Sequence, residues 1–296
     1  MNKNKWYVQD ILDKMAQRSL DCYEGKTKVI KESARTLSPS QVNLFIQCPR
    51  KWYYRYVMKI PEEETFAQVR GSAVHYVVEH FFDYKMAGAM NLDDIQKALL
   101  KRGRMLLEEA WRSNRIDERW PDEGIEHSQE IVDRFVQRIV WQIRDLTRKL
   151  GDPVRAWNYV KPSRRELHIK NDELGLQGFI DSVVEKDGMT ILVDYKTSTI
   201  YKHPHSKDYQ RQLMLYALMW EREYGKLPDS VSIDYLLYGQ IFAIPVRKEL
   251  VDDVEVLVKN IRTRMVSEKI DDYPQDETRK FCNWCTYNGI CFGGEQ

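Results

Sequence analysis

Three residues near the middle of the chain, Asp181, Asp194 and Lys196, have types and spacing that could do chemistry. Two β-branched runs, Gly178 to Glu185 and Thr190 to Lys196, flank Asp187-Gly188, a dipeptide that favours a tight hairpin turn. With Asp187 and Gly188 as the loop, Lys186 pairs with Met189, and counting outward sets Asp181 opposite Asp194. Lys196 lies two residues on, on the face of Asp194. Two carboxylates facing each other across a ladder repel. That arrangement makes sense around a divalent cation with oxygen ligands, magnesium or manganese. An ammonium beside the cation could stabilise a developing anion or help a water lose its proton. Asp-x-Lys by itself more commonly marks a solvated strand face. The apolar residues around Asp181 and before Asp194 favour a buried strand instead.

The second group is made of cysteines. Cys282 and Cys285 are spaced C-x-x-C, and Cys291 follows within ten residues. Cys48, next to a helix break at Pro49, is the natural fourth ligand. Four thiolates suit structural zinc or an iron–sulfur cluster, and spacing does not choose between them. Either would clamp the two ends of the chain over the central sheet. Cys22 is left over, and five cysteines without a secretion signal argue against a disulfide framework.

A third stretch, Arg50-Lys51-Trp52-Tyr53-Tyr54-Arg55-Tyr56, interleaves basic and aromatic residues. Such a pattern grips phosphates and stacks on bases, or forms an amphipathic helix with an aromatic core stripe. The aromatics read as core, leaving Arg50, Lys51 and Arg55 to reach a phosphate.

The elements that position these groups follow from periodicity and caps. Ser38 caps a helix with Pro39 at its first position and Gln41 available for a capping box. Gly71 to His75 opens another helix through Phe82, with His75 and Glu79 on one face. A lone histidine there is ordinarily a surface or satisfied core residue. Asn91 to Leu150 reads as a helical insertion, and Trp157 to Ile169 as a strand pairing with the hairpin. The loop Thr197 to Lys207 carries His203 and His205. A strongly periodic helix, Asp208 to Tyr224, bears Gln212 and Tyr216 at i, i+4. One or two strands lie in Val231 to Val246, and a last helix spans Val251 to Glu268. Gly25-Lys26-Thr27 is no phosphate loop, because Leu20 stands where a glycine is required.

The 296 residues suffice for one elaborated domain, and 31% charged with 43% hydrophobic residues is ordinary globular composition. A net charge of +1 gives no global field for nucleic acid, so any such surface is local. No apolar run is long enough to span a bilayer, and the expectation is a soluble cytoplasmic protein with no membrane partner.

Taken together and in this order, the motifs resemble the PD-(D/E)xK nuclease superfamily. They are most similar to its RecB-like exonuclease branch with a four-cysteine cluster, which includes the nuclease domain of AddB and the CRISPR adaptation exonucleases. The resemblance runs from about Ser38 to Cys291. It implies a restriction-endonuclease-like α/β core with a small mixed sheet flanked by helices. A helical insertion at about 91–150 and an arm at 1–37 would complete a nuclease domain at 38–296. Residue by residue, Gly71 to His75 matches the family's Gly-x-x-x-His, making His75 a metal ligand. Gly178 to Asp181 matches Gly-x-x-Asp, making Asp181 the first carboxylate ligand. Asp194-Tyr195-Lys196 matches Asp/Glu-x-Lys, with Asp194 the second carboxylate, the Tyr195 carbonyl a backbone ligand and Lys196 the catalytic lysine. Gln212 to Tyr216 matches Gln-x-x-x-Tyr, which lines the site and touches DNA. Cys48, Cys282, Cys285 and Cys291 would hold a 4Fe–4S cluster, with zinc as the alternative. The resemblance thus implies a magnesium- or manganese-dependent DNA exonuclease acting on single-stranded ends in recombination, repair, phage or CRISPR processing. No helicase motif occurs, so unwinding would come from a partner. The alternative is a non-catalytic nucleic-acid-binding module stabilised by zinc or a cluster.

Overall fold

A computed structural model describes residues 35–86, 91–198, 206–276 and 278–293. Its centre is a mixed five-stranded sheet in the order β1-β2-β3-β4-β5. The strands are β1 (Arg164–Asn171), β2 (Leu176–Lys186), β3 (Met189–Lys196), β4 (Ser230–Tyr235) and β5 (Gln240–Pro245). Asp187 and Gly188 take φ of 52° and 79°, the left-handed pair that a tight primed turn needs. Lys186 accordingly pairs with Met189, and the β2–β3 ladder runs to Ser182↔Val193. The next step of that register is Asp181 opposite Asp194. β3 and β4 are parallel, joined by a helical crossover, while the other pairs are antiparallel.

Seven described helices precede the sheet: α1 (Pro39–Gln47), α2 (Pro49–Tyr56), α3 (Phe66–Phe81), α4 (Leu92–Ser113), α5 (Ile116–Arg119), α6 (Glu126–Leu150) and α7 (Pro153–Val160). The crossover is α8 (Lys207–Tyr224), and α9 (Lys248–Arg264) and α10 (Asn288–Phe292) follow β5. α1, α2, α8 and α9 contribute to one core with Trp52, Trp220, Tyr235 and Tyr273 fully buried. α3, α4, α6 and α7 build a second around Phe81, Phe135 and Trp157, and Tyr195 packs against it. Each large apolar side chain so buried contributes about 2–3 kcal/mol. Arg138 of α6 pins the helical insertion to β4, donating from Nη1 to Asp234 Oδ1 at 2.7 Å. Among the described residues no helix is long and apolar enough to cross a membrane.

The α/β architecture agrees with the sequence, and the stretch from 92 to 150 is largely helical. Two elements differ. α3 starts five residues before Gly71, because Thr65 and Gln68 form a reciprocal capping box. Trp157 is helical rather than extended, because Asp152 caps α7 and Pro153 occupies its first position. Strand structure resumes only at Arg164. Leu37 is buried and brackets Leu176 through Leu37 N–H to Gly175 O and Gln177 N–H to Leu37 O, both 2.8 Å. Cys22, Gly25 to Thr27, His203 and His205 lie outside the described residues.

Candidate active site

The sheet brings three carboxylates into one row. β1 and β2 pair with Arg165↔Ser182 and Leu167↔Ile180, so Glu166 stands across from Asp181. On the other side of β2, the register brings Asp194 up to Asp181. Glu166 has a φ of 43°, a left-handed conformation rare for a side-chain-bearing residue and costly within a strand. His75, on the α3 face above the row, approaches Asp181 Oδ1 with Nδ1 at 3.6 Å. Asp181 is steadied through Oδ2, which accepts the Tyr195 N–H at 2.7 Å. Ligand atoms of His75, Glu166 and Asp181 all lie within 4.8 Å of one another. They line a cleft of about 640 Å³ together with Gly71, Glu79 and Thr197. A Cβ on Gly71 would sit 3.1 Å from Thr197 Oγ1, so glycine lets α3 lie close to the end of β3.

Asp194 and Lys196 form a neighbouring polar chain. Asp194 is 3% exposed. Its Oδ1 accepts from Gln212 Nε2 at 3.1 Å, and the same amide reaches Tyr216 Oη at 3.1 Å. Gln212 Oε1 accepts from Lys196 Nζ at 3.1 Å. Asp194 Oδ2 meets Lys196 Nζ at 2.6 Å, an ion-pair contact without the direction of a hydrogen bond, and this buried oxygen has no other partner. The lysine ammonium also rests 4.9 Å over the Tyr209 ring. Tyr195 turns its side chain the other way, its ring 6.5 Å from Phe135.

The electrostatics record an excess of negative charge. Burial and then the Asp181 charge push the Glu166 carboxyl up to about 6. Burial works against protonated His75, but Asp181, Asp194 and Glu166 outweigh it and raise its pKa. Burial raises Asp194, with Lys196 opposing and Asp181 adding to the rise. Lys196 is raised because Asp194 outweighs its desolvation. An imidazole, neighbouring carboxylates and a buried oxygen lacking a directed donor are a donor set that fits a divalent cation.

The expected site residues therefore divide. His75 and Asp181 meet at the cleft. Asp194, Lys196, Gln212 and Tyr216 meet beside it. Glu166 is the residue that motif spacing misses. Counting outward from the β1–β2 turn, where Asn171 pairs with Leu176, would have found it by the arithmetic that aligned Asp181 with Asp194.

The cysteines occupy another corner. Cys48 ends α1 and caps α2, its Sγ accepting from Lys51 N–H at 3.4 Å. Gln275 Nε2 donates to Cys291 Sγ at 3.2 Å. Tyr287 Oη donates to Ile60 O at 2.9 Å, fastening the tail to the α2 region. Burial raises the Cys282 thiol, and Cys48, Asp276, Cys285 and Cys291 raise it further. The same corner engages the basic residues: Arg50 Nε donates to Tyr273 O at 2.6 Å, while Lys51 and Arg55 pair with Glu62 at 2.9 and 2.7 Å. Trp52, Tyr53 and Tyr54 are buried as core.

The sequence profile of the PD-(D/E)XK nuclease superfamily matches residues 36–292. No curated protein matches the chain. Among solved structures, one named "Putative exonuclease", from Eubacterium rectale, is 14% identical, with 92% of this chain and all of that one covered at a TM-score of 0.50. A second, SSO0001, is 12% identical over 98% of this chain and 97% of that one, at a TM-score of 0.37. At such identity the first likeness concerns the fold.

Proposed function

Because the chain belongs to the PD-(D/E)XK nuclease superfamily, we propose that it is a metal-dependent DNA exonuclease working on single-stranded ends. The observation that carries this reading is the row of carboxylates with Lys196 and His75 at one end of the sheet. His75, Asp181, Asp194 and the Tyr195 carbonyl are the residues that would hold magnesium or manganese. When bound, the cation polarises a phosphoryl oxygen and acidifies water for in-line attack. Asp181, fixed by the Tyr195 N–H, sets the position of that charge. Lys196, its ammonium held by Gln212, would stabilise the negative charge that grows on phosphorus. Tyr216 orients the Gln212 amide and lines the path of the strand.

The cysteine corner, on this reading, carries a structural 4Fe–4S cluster in the manner of the RecB-like branch. Its all-sulfur donor set fits a soft metal group. Arg50, Lys51 and Arg55 would reach the DNA backbone only by exchanging their present partners. Unwinding, in recombination, repair, phage or CRISPR processing, would come from a helicase or similar partner.

Digestion of end-labelled single- and double-stranded DNA with magnesium, manganese or chelator tests the activity. Progressive shortening of the single strand with metal is the expected result. DNA that is bound but left intact under every metal condition would favour a non-catalytic binding module. Iron and sulfide in the purified protein support the cluster, and stoichiometric zinc would replace it.

A further inference from the structure

We infer that Phe179, backed by His168, is a stacking platform for a base of the substrate strand, placed beside the carboxylate row. The inference rests on the nuclease reading and deepens it, naming residues that grip the strand apart from the acids, the lysine and the cleft histidine.

Four observations carry it. First, Phe179 lies two residues before Asp181 on β2, so the alternation of side chains puts both on one face, about 6.6 Å apart along the strand. A base next to the phosphate at Asp181 is within reach of the ring. Second, that face is bare at Phe179, which is 55% exposed. The opposite face is closed by helices: a Cβ on Gly178 would sit 3.1 Å from Met219 Cε of α8 and 3.3 Å from Pro39 Cδ of α1. Third, His168 stands across from Phe179 in the β1–β2 register and stacks on it, with 4.6 Å between ring centroids and 24° between planes. The imidazole holds the phenyl ring in place, and a base on the other side extends the stack. Fourth, Lys170 follows His168 on the same face of β1 and pairs with exposed Asp172 at 2.7 Å. An exposed pair of this kind is worth little, so a phosphate of the strand can replace Asp172. A single exposed phenylalanine is ordinary. The stack, the step from Asp181 and the cation beyond together match a nucleotide, a flat base joined to an anion. Stacking accepts every base, as shortening strands of any sequence requires.

The test is the affinity of the full chain, in chelator, for two labelled single strands of one length, one with bases and one abasic throughout. Phe179→Ala should bind the base-bearing strand about tenfold more weakly, as for loss of one stacked base, and the abasic strand as wild type does. Phe179→Trp should restore the affinity. His168→Ala should lose a smaller factor on the base-bearing strand alone, because it positions the ring. Lys170→Ala should weaken both strands alike. Equal affinity of wild type and Phe179→Ala for the base-bearing strand would overturn the inference, and the nuclease reading would stand wherever wild type still cleaves. An equal loss on both strands would also overturn it, since no stack forms on a strand without bases. A wild-type dimer that Phe179→Ala dissociates, with DNA affinity unchanged, would assign the ring to a second copy and overturn it too. A wild type that holds bases through Phe179 yet cuts nothing with any metal would remove the nuclease reading and keep the platform.

Discussion

At the α2 corner, Glu62 sits between Lys51 and Arg55 and also accepts from Thr286 Oγ1 at 3.3 Å. Burial alone would raise its carboxyl, yet the two cations and the hydroxyl hold it below the usual range. At the cleft, Glu166, Asp181 and Asp194 stand in a row, answered among the described residues by Lys196 and His75, and Glu166 is pushed up to about 6. Both are charged clusters around a helix and a turn of strand or loop. One is neutralised by its own residues and holds the chain in place. The other sets three carboxylates side by side, a donor set that fits an added cation. Local sequence distinguishes them poorly, since the basic run Arg50 to Arg55 looks more like a ligand site than the lone Glu166 does.

Substitutions should break this contrast unequally. Asp181→Asn has the largest expected effect, because Asp181 stands between the other two acids of the row. Cleavage should fall at least about a hundredfold, as for loss of a group that stabilises developing charge, while circular dichroism stays unchanged. Arg138→Ala comes next: it leaves Asp234 buried without its partner and should destabilise the fold by about 3 kcal/mol, read by urea unfolding. Glu62→Ala should cost only about 1 kcal/mol in the same assay, since that network is partly solvated.

The smallest effect is the pH dependence of the metal-free protein, and there the two regions should have opposite signs. Glu166 titrates near 6 when folded, above the 4.5 of an unperturbed glutamate. The folded state therefore holds more protons between those values, and its contribution to stability is lost as pH rises through that window. Glu62 titrates below 4.5 when folded. Its contribution is present above that value and is lost as pH falls through the range beneath it. Melting temperatures across pH 3 to 7 (about the range these pKa values span) for wild type, Glu166→Gln and Glu62→Gln separate the two. Glu166→Gln should flatten the decline above 4.5, and Glu62→Gln the one below.

Much of this was legible in the chain because turn chemistry sets register. Asp187-Gly188 fixes the hairpin, and once the turn is known the pairing of every residue on β2 and β3 follows. The Gln212 and Tyr216 spacing placed both on one face of α8, where Gln212 meets Asp194 and Tyr216 meets Gln212. Other features depend on capping or tertiary contact. Thr65 and Gln68 start α3 ahead of the glycine that marks its motif, and Asp152-Pro153 turns an aromatic stretch into helix. Glu166 acquires its place only from the β1 register and its unusual backbone. The pairing of Lys51 and Arg55 with Glu62 depends on a loop fold that no local pattern announces.

Lys196 and the acids beside it are the groups proposed to cleave a phosphodiester. The direct measurement is single-turnover cleavage of labelled single-stranded DNA in manganese by wild type and Lys196→Met, with DNA affinity measured in chelator. Wild type should cut, and the variant should bind as tightly yet fail to cut. Equal cleavage rates for the two proteins would exclude Lys196 from the chemistry.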